Sequence, residues 1–469
     1  GELAHHAKEW HIYSQIDLHE EAYMLRMASI LHAIEESMPE LAGIETEAGL
    51  TSGLSQDDVQ LVIEDDAELE TDLILELPLT LEWAWELVRH FRNNGTLSNS
   101  SVDALATLAA ARLGECPNVM HLELPPGAGL TVVGDIHGQL EDLLHILDTC
   151  GSPNDKNFYI FNGDWVDRGS QSLEVLCIIM AFYLACPGKV FLNRGNHEDR
   201  HTCASYGFER EVGRKCTKQI FETINSVFIV LPICTIVDDK VMVVHGGIQD
   251  ERVTLEELGQ CNRRVFKGVP ISSTMEANMT KKEYRLANVM LGALWSDPDP
   301  HVHHGVQPSP RGAGSAFSEQ AAKAFLRANS LSMIIRSHEV CKTGYETRFQ
   351  HKKDTACPVV ATIFSASEYS KGMHNRGSVM RFSKAGPGVV DHNSKKKRVF
   401  EVPHTSLSFF VESYSHRESN TSKALNETRL SLRSIIMSKR DQLAATFARV
   451  DEASTGMVSL EQWCGVMEE

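Results

Sequence analysis

Six side chains with metal-binding chemistry lie in five short segments spread along the chain. Asp135 and His137 sit in Gly134-Asp135-Ile136-His137-Gly138, and Asp164 in Gly163-Asp164-Trp165-Val166-Asp167-Arg168-Gly169. Asn196 sits in Arg194-Gly195-Asn196-His197-Glu198, His245 in His245-Gly246-Gly247, and His338 in Arg336-Ser337-His338-Glu339. Carboxylate and amide oxygens with imidazole nitrogens are donors that suit a pair of divalent cations, one donor being shared between them. Asp135 and His137 are two apart on one turn, so both can face one ion. Asp164 has two carboxylate oxygens with which to bridge. Ions ~3.5–4 Å apart activate water and hold phosphate oxygens during in-line displacement, so the expected chemistry is hydrolysis of a phosphate ester. His197, beside Asn196, can protonate the departing alkoxide. Asp167 can orient His197 and raise its pKa, and Arg168 offers a forked donor set for phosphate oxygens. Singly, each segment is ordinary: Asp-Arg-Gly is a turn with a salt bridge, and an isolated His338 is a surface histidine. Their succession carries the reading.

These segments need elements to position them. Residues 130–133, 158–161 and 190–192 are short apolar runs that read as buried strands. They alternate with helical patterns at 140–147 and 172–185. That is a βαβαβ order, with polar residues at the strand C-terminal ends, where open α/β sheets place ligands. Further strands are expected at 241–244, 333–335, 359–364 and 378–382, paired across two stacked sheets. Residues 78–113 read as two more helices. Residues 1–77 read as helical and acidic, with apolar residues at helical spacing from Tyr23 to Ile34. The acidic run from Glu64 to Glu76 is either a solvated face or a pseudo-substrate laid over a cationic site, the solvated face being the favoured reading. Residues 412–424 read as a polar linker, and 425–450 return to helical periodicity.

The 469 residues leave room for two or three domains and a large core. A net charge of −18 argues against broad binding of nucleic acid or of an anionic membrane, both of which need a positive face. Eleven cysteines with no CxxC pair suit reduced thiols in a cytoplasmic or nuclear protein. The longest apolar run, 175–186, is too short to span a bilayer, and no signal peptide is visible. The chain opens on Gly1 rather than Met, which reads as a processed fragment. The basic run Lys395-Lys396-Lys397-Arg398 reads as a solvated hairpin end before it reads as a nuclear-import signal.

The segments GDIHGQ, GDWVDRG, RGNHE and HGG together resemble the phosphoprotein phosphatase family of serine/threonine phosphatases. Leu294-Trp295-Ser296-Asp297-Pro298, Pro310-Arg311-Gly312 and Phe364-Ser365-Ala366-Ser367-Glu368-Tyr369 agree with it. The resemblance implies an α/β metallophosphoesterase sandwich of two mixed β-sheets flanked by helices. That catalytic domain would span 78–408, after a helical acidic segment, 1–77, and before a partial EF-hand-like helical region, 425–469. It implies two divalent metals (Mn, Fe or Zn), the first held by Asp135, His137 and Asp164 and the second by Asp164, Asn196, His245 and His338. Arg168 and Arg311 would clamp the phosphate with Tyr369 lining the same site, and His197 with Asp167 would supply the proton. A metal-bridging hydroxide would then hydrolyse phosphoserine or phosphothreonine in phosphoprotein substrates, with no phosphoenzyme. The chain departs from the family pattern at Phe317-Ser318 and Glu368-Tyr369, and Glu368 adds negative charge that would favour more basic peptides. Residues 270–286 read as an insertion without a role.

Phe161-Asn162-Gly163-Asp164 and Leu231–Val237 most resemble the EF-hand-bearing subgroup, and no 34-residue helical repeat of its tetratricopeptide-bearing neighbour is visible in 1–77. The C-terminus supports this through a calcium-loop-like stretch, 451–462. There Asp451 stands at position one and Gly456 at position six, but Ala453 and Gln462 replace side-chain ligands at positions three and twelve. That weakens the case for calcium in this loop, while leaving open regulation by calcium or a calmodulin-type partner. Two other readings stand beside the phosphatase: a dinucleoside-polyphosphate or cyclic-nucleotide phosphoesterase, and an inactive calcium-regulated binding module.

Overall fold

The structure is a computed structural model that describes residues 73–75, 77–266, 276, 278–349, 357–370, 373–385 and 399–415. All fall within one compact unit, 68–422. The acidic run from Glu64 to Asp72 with Glu76, the basic run 395–398, the calcium-like loop 451–462 and nearly all of 1–77 lie outside the described residues.

Two six-stranded sheets stack face to face. In the first, β1 (Val119–Leu122), β5 (Cys234–Val237), β6 (Val241–Val244), β10 (Met333–Arg336), β12 (Val360–Ile363) and β11 (Tyr345–Arg348) lie side by side in that order. In the second the order is β14 (Phe400–Glu401), β15 (Leu407–Tyr414), β13 (Gly377–Lys384), β2 (Gly129–Val133), β3 (Asn157–Phe161) and β4 (Val190–Leu192). Both sheets are mixed. Within them β2, β3 and β4 run parallel to one another, and so do β6, β10 and β12. A small third sheet joins β7 (Asp297–Pro298), β9 (Ser315–Phe317) and β8 (Val306–Pro308).

Parallel strands buried on both faces read as continuous apolar runs, and the packing follows. Leu130, Val132 and Ile160 face Val243, Ile335 and Ile363 in the core between the sheets. Val133, Tyr159 and Phe161 face outward onto helices. Those helices are α1 (Leu81–Arg92), α2 (Asn99–Gly114), α3 (Leu140–Cys150), α4 (Ser172–Ala185), α5 (Arg200–Tyr206), α6 (Phe208–Lys215) and α7 (Lys218–Phe228). The other sheet is covered by α8 (Leu255–Gln260), α9 (Lys281–Trp295) and α10 (Glu319–Ala328) through Met242, Ile334, Leu294 and Phe325. Helix α4 is apolar almost all round because it lies under α1 and α2, which leave only Glu174 and its last turn partly exposed. Caps set the helix starts: Thr80 accepts from Trp83 N at 3.1 Å, and Asp199 accepts from His201 N at 2.9 Å.

The expected two-sheet sandwich is present, and each expected strand lies within a residue or two of its place. Two boundaries differ. Strand β15 runs to Tyr414, past the expected domain end at 408 and into the stretch read as linker. Its register with β13 and the Tyr414 hydroxyl, which donates to Ser365 O at 2.6 Å, hold these polar residues in the sheet. The apparent insertion at 270–286 contains a helix start: Thr280 and Glu283 form a capping box for α9. Further along, Arg285 reaches Asp250, and its Nε donates to Glu257 at 2.9 Å.

Candidate active site

The loops that follow β2, β3, β4, β6, β10 and β12 all open at the strands' C-terminal ends, where the two sheets meet. They carry, in turn, Asp135 and His137, Asp164, Asn196, His245, His338 and Tyr369. The two sheets are stitched there by buried amides. Asn162 Nδ2 donates to Val244 O (2.9 Å) and Ser337 Oγ (3.0 Å), and Asn193 Nδ2 donates to Asn162 Oδ1 (2.9 Å). An isolated bridge pairs Asp135 with Phe364 across the same seam.

The loops interlock through their backbones. Ile136 N and His137 N both donate to Asp164 O at 3.0 Å, and Gly169 N donates to His137 O at 2.9 Å. Within this lattice His137, Asp164, Asp167, Arg168 and His338 take φ of 47°, 52°, 69°, 71° and 72°. Left-handed backbone is costly for such residues and persists only where the surroundings over-determine it, which is the mark of a functional site. Gly195 is required by close approach, since a Cβ there would stand 2.2 Å from Asp164 Oδ1.

The donors converge. Asp164 Oδ2 lies 3.6 Å from His137 Nε2 and 3.4 Å from His245 Nε2. His245 Nε2 is also 2.8 Å from Asn196 Oδ1 and 3.3 Å from His338 Nδ1, and His137 Nε2 is 3.8 Å from Asp135 Oδ2. Two groups of donors, each within 4.8 Å, share Asp164: one with His137 and His197, the other with His245 and His338. All six expected metal-ligating residues are buried. Asp164 Oδ1 accepts His197 N at 2.9 Å, while Oδ2 faces both groups.

Tautomers follow from the outer bonds. His137 Nδ1 donates to Val166 O (2.8 Å) and His245 Nδ1 to Asn162 O (2.9 Å), so each presents Nε2 to the centre. Electrostatics mark the same point. Burial lowers His137 to about 3, helped by the charge of His197. Burial also holds His338 well below the usual histidine range, with His245, Arg311 and Arg336 adding to it. Burial works against a charged His245 too, but Asp164 and Asp135 pull it up to about 9. Burial and Asp164 push Asp135 up to about 7. Burial acts the same way on Asp164, yet the surrounding histidines hold it well below the usual carboxylate range. A knot of nitrogens and oxygens that repel one another unless a proton or cation lies between them fits divalent metals. His338 turns Nδ1 to the same knot, 3.3 Å from His245 Nε2, while its buried Nε2 has no hydrogen-bond partner among the described residues.

Beside the knot, His197 Nδ1 is 2.7 Å from Asp167 Oδ2, while Asp167 Oδ1 accepts Phe208 N at 2.9 Å. Burial opposes protonation of His197, but Asp164 and Asp167 raise its pKa above the ordinary value. Arg168 is exposed, with its guanidinium 4.0 Å from the centroid of the Tyr206 ring. Tyr369 packs 5.1 Å from His137, and burial pushes its hydroxyl up to about 12. Arg311 reaches the rim with Nη2 3.5 Å from His338 O. Every site residue expected from the sequence is therefore in one place.

The family model for calcineurin-like phosphoesterases matches residues 129–342. Serine/threonine-protein phosphatase rdgC of Drosophila melanogaster is 31% identical over 470 residues, covering 98% of this chain and 67% of the relative. This chain belongs to the phosphoprotein phosphatase family of serine/threonine phosphatases. Another member, serine/threonine-protein phosphatase with EF-hands 1 of Rattus norvegicus, is 33% identical over 84% of this chain and 61% of its own length. A solved serine/threonine phosphatase from Saccharomyces cerevisiae, described as similar to human phosphatase PP5, superposes with a TM-score of 0.57 at 29% identity. It covers 72% of this chain and 96% of its own. The chain thus spans about two thirds of the length of the curated phosphatases it matches.

Three groups of this phosphatase site carried no role in the sequence reading. Glu198, fully buried, accepts Asp164 N (2.7 Å), Trp165 N (2.9 Å) and Gly195 N (2.9 Å), locking two metal loops together. Asp142 on α3 accepts Ser367 N (2.7 Å) and Ser367 Oγ (2.8 Å), anchoring the Tyr369 loop. Tyr206 backs Arg168. Glu198 was visible as the last residue of Arg194-Gly195-Asn196-His197-Glu198. Nothing in the sequence marks Asp142 or Tyr206.

Proposed function

We propose that this chain hydrolyses phosphoserine and phosphothreonine esters in proteins. The convergence of Asp135, His137, Asp164, Asn196, His245 and His338 on one buried point, flanked by the His197–Asp167 pair, carries this reading. Two divalent cations held by these six residues would supply Lewis acidity, for water activation and for charge developing on the phosphoryl oxygens. The protein's own groups do the rest. Arg168 and Arg311 bind and orient the phosphate dianion from two sides of the rim, and Tyr369 closes the wall beside His137. His197 holds its proton on Nε2 with Asp167 behind it and delivers that proton to the serine or threonine oxygen as the ester bond breaks. An imidazolium stabilised by Asp167 suits this task because an alkoxide is a poor leaving group without a proton.

Glu368 sits beside Tyr369 with φ of 47° and favours peptides with basic neighbours. Regulation by calcium is part of the proposal only through the likeness to a relative named for EF-hands, and residues 451–462 keep too few ligands to bind calcium tightly. The deciding experiment compares a phosphothreonine peptide, diadenosine tetraphosphate and a cyclic nucleotide as substrates of the manganese-loaded protein, with and without calcium. Faster turnover of either nucleotide than of the peptide overturns the assignment. Absence of any turnover with two metals bound would favour a binding module.

A further inference from the structure

Arg311 does not hang free at the rim. The three-stranded sheet of β7, β8 and β9 carries it on the turn between β8 and β9, where Gly312 and Gly314 take φ of 77° and 67°. Ser309 Oγ accepts Arg311 N at 3.2 Å, and Ser296 Oγ accepts Ser315 N at 2.9 Å, which fastens the turn to the start of β7. Asp297, the first residue of β7, then takes hold of the side chain: its Oδ2 accepts from Arg311 Nε. Its other oxygen accepts from Arg336 Nη2 at 2.8 Å.

Arg336 makes Asp297 rigid. Its side chain is 0% exposed and lies at the end of β10, two residues before His338. Nε donates to Gly246 O at 2.7 Å, Nη1 to Glu339 Oε2 at 2.7 Å, and Nη2 to Ser296 O at 3.2 Å as well as to Asp297. A planar guanidinium bound along every edge has no freedom left. Asp297 is 14% exposed and gripped from beneath, whereas the Arg311 side chain is 36% exposed and, among the described residues, is gripped by Asp297 and weakly by His338 O. Its Nη1 takes no part in these contacts.

We propose that Asp297 is the positioning residue of Arg311. It aims the guanidinium at the phosphate position before substrate arrives, and Arg336 supplies the fixed base. An arginine with free rotamers would have to be ordered at each binding event, and ordering it beforehand removes that cost. Asp297 spends part of Arg311's charge to gain direction. Glu339 balances the second charge of the network without touching Arg311. This inference rests on the phosphoesterase reading above, because it assigns Arg311 to the phosphate.

The manganese-loaded parent, Asp297→Asn, Arg311→Ala, the double variant and Glu339→Gln are compared on p-nitrophenyl phosphate and a phosphothreonine peptide, with inorganic phosphate as inhibitor and thermal unfolding as the check on folding. A parent that hydrolyses neither ester defeats the functional reading itself. With an active parent, Asp297→Asn should lower kcat/KM by roughly 10–100-fold and weaken phosphate inhibition. In the Arg311→Ala background it should add less than about 3-fold. Glu339→Gln, which removes an equal contact from Arg336, should stay within about 3-fold of the parent even where it unfolds as early as Asp297→Asn. Full additivity in the double variant, or an equal activity loss in Glu339→Gln, overturns the proposal. Should Asp297→Asn fail to fold, Asp297→Glu, which keeps both guanidinium groups paired with a charge, is held to the same additivity criterion.

Discussion

Replacing Asp167 by Asn changes one atom and should cost most of the catalysis on a peptide. The two oxygens of Asp167 have different partners: Oδ1 accepts the backbone N–H of Phe208 at 2.9 Å, and Oδ2 accepts the proton on His197 Nδ1 at 2.7 Å. An amide has one acceptor. The Phe208 N–H is buried and fixed, so the amide oxygen must stay on it. The amide NH2 then faces His197 Nδ1, donor against donor. His197 is driven to give up its Nδ1 proton and becomes a neutral imidazole protonated on Nε2, a far weaker acid than the imidazolium. Loss of a general acid lowers turnover by roughly 10²–10⁴-fold, which is about 2.7–5.4 kcal/mol of transition-state stabilisation. The assay is kcat on a phosphothreonine peptide and on p-nitrophenyl phosphate at matched metal content. The alkoxide needs a proton to leave and nitrophenolate does not, so the loss should be large on the peptide and within about tenfold on the aryl ester. His197→Ala should show the same split. An equal loss on both substrates, with both metals retained, would refute the assignment of His197 as proton donor and leave it an electrostatic or structural role.

Three further outcomes are expected. Asp164→Asn weakens the one oxygen that faces both donor groups, so elemental analysis should show both metals falling together, and retention of two metals would count against the shared ligand. Glu198→Gln leaves at least one of three buried backbone N–H groups facing an NH2. It should cost roughly 1–3 kcal/mol in denaturant unfolding, and an unchanged midpoint would show that the metal loops do not depend on it. Asp142 gives a pH dependence: burial pushes its carboxyl up from 3.8 to about 8 in the fold. The folded state then binds the extra proton between these values, so stability from this group falls as pH rises through that window. Asp142→Asn removes that slope, and the variant should gain on the parent in unfolding temperature between pH 6 and pH 9. A difference that stays constant over this range would contradict it.

The sequence was most legible where one physical rule dominated. Strands such as 130–133 and 158–161 announce themselves because parallel strands covered on both faces must be apolar throughout, and the polar residue that ends each run must sit at a strand end. The ligands were legible because metal chemistry restricts donor types and the neighbouring glycines restrict the turns. Less legible were features set by partners distant in sequence. The left-handed backbone of Asp164 and Arg168 is imposed by interlocked loops, not by local preference. Glu198 gains its role from three N–H groups that only the folded loops present. Strand β7 is two residues long and β15 carries Glu412 and Ser413 near its end, so neither shows a clean alternation. Asp297 looked like part of a motif and proved to be a link between two arginines.

The site straddles a seam, with Asp135, Asp164 and Asn196 coming from one sheet and His245 and His338 from the other. Asp135 Oδ1 accepts His338 N at 3.1 Å across a separation of 203 residues. Contacts of such range carry a loop-closure cost that is met before they reward the fold. Neither sheet alone carries the full donor set, so a fragment that ends before residue 338 lacks His338 and, with it, part of the second donor group. The donor set is therefore complete only when the loops of both sheets, as far along the chain as His338, are in place together.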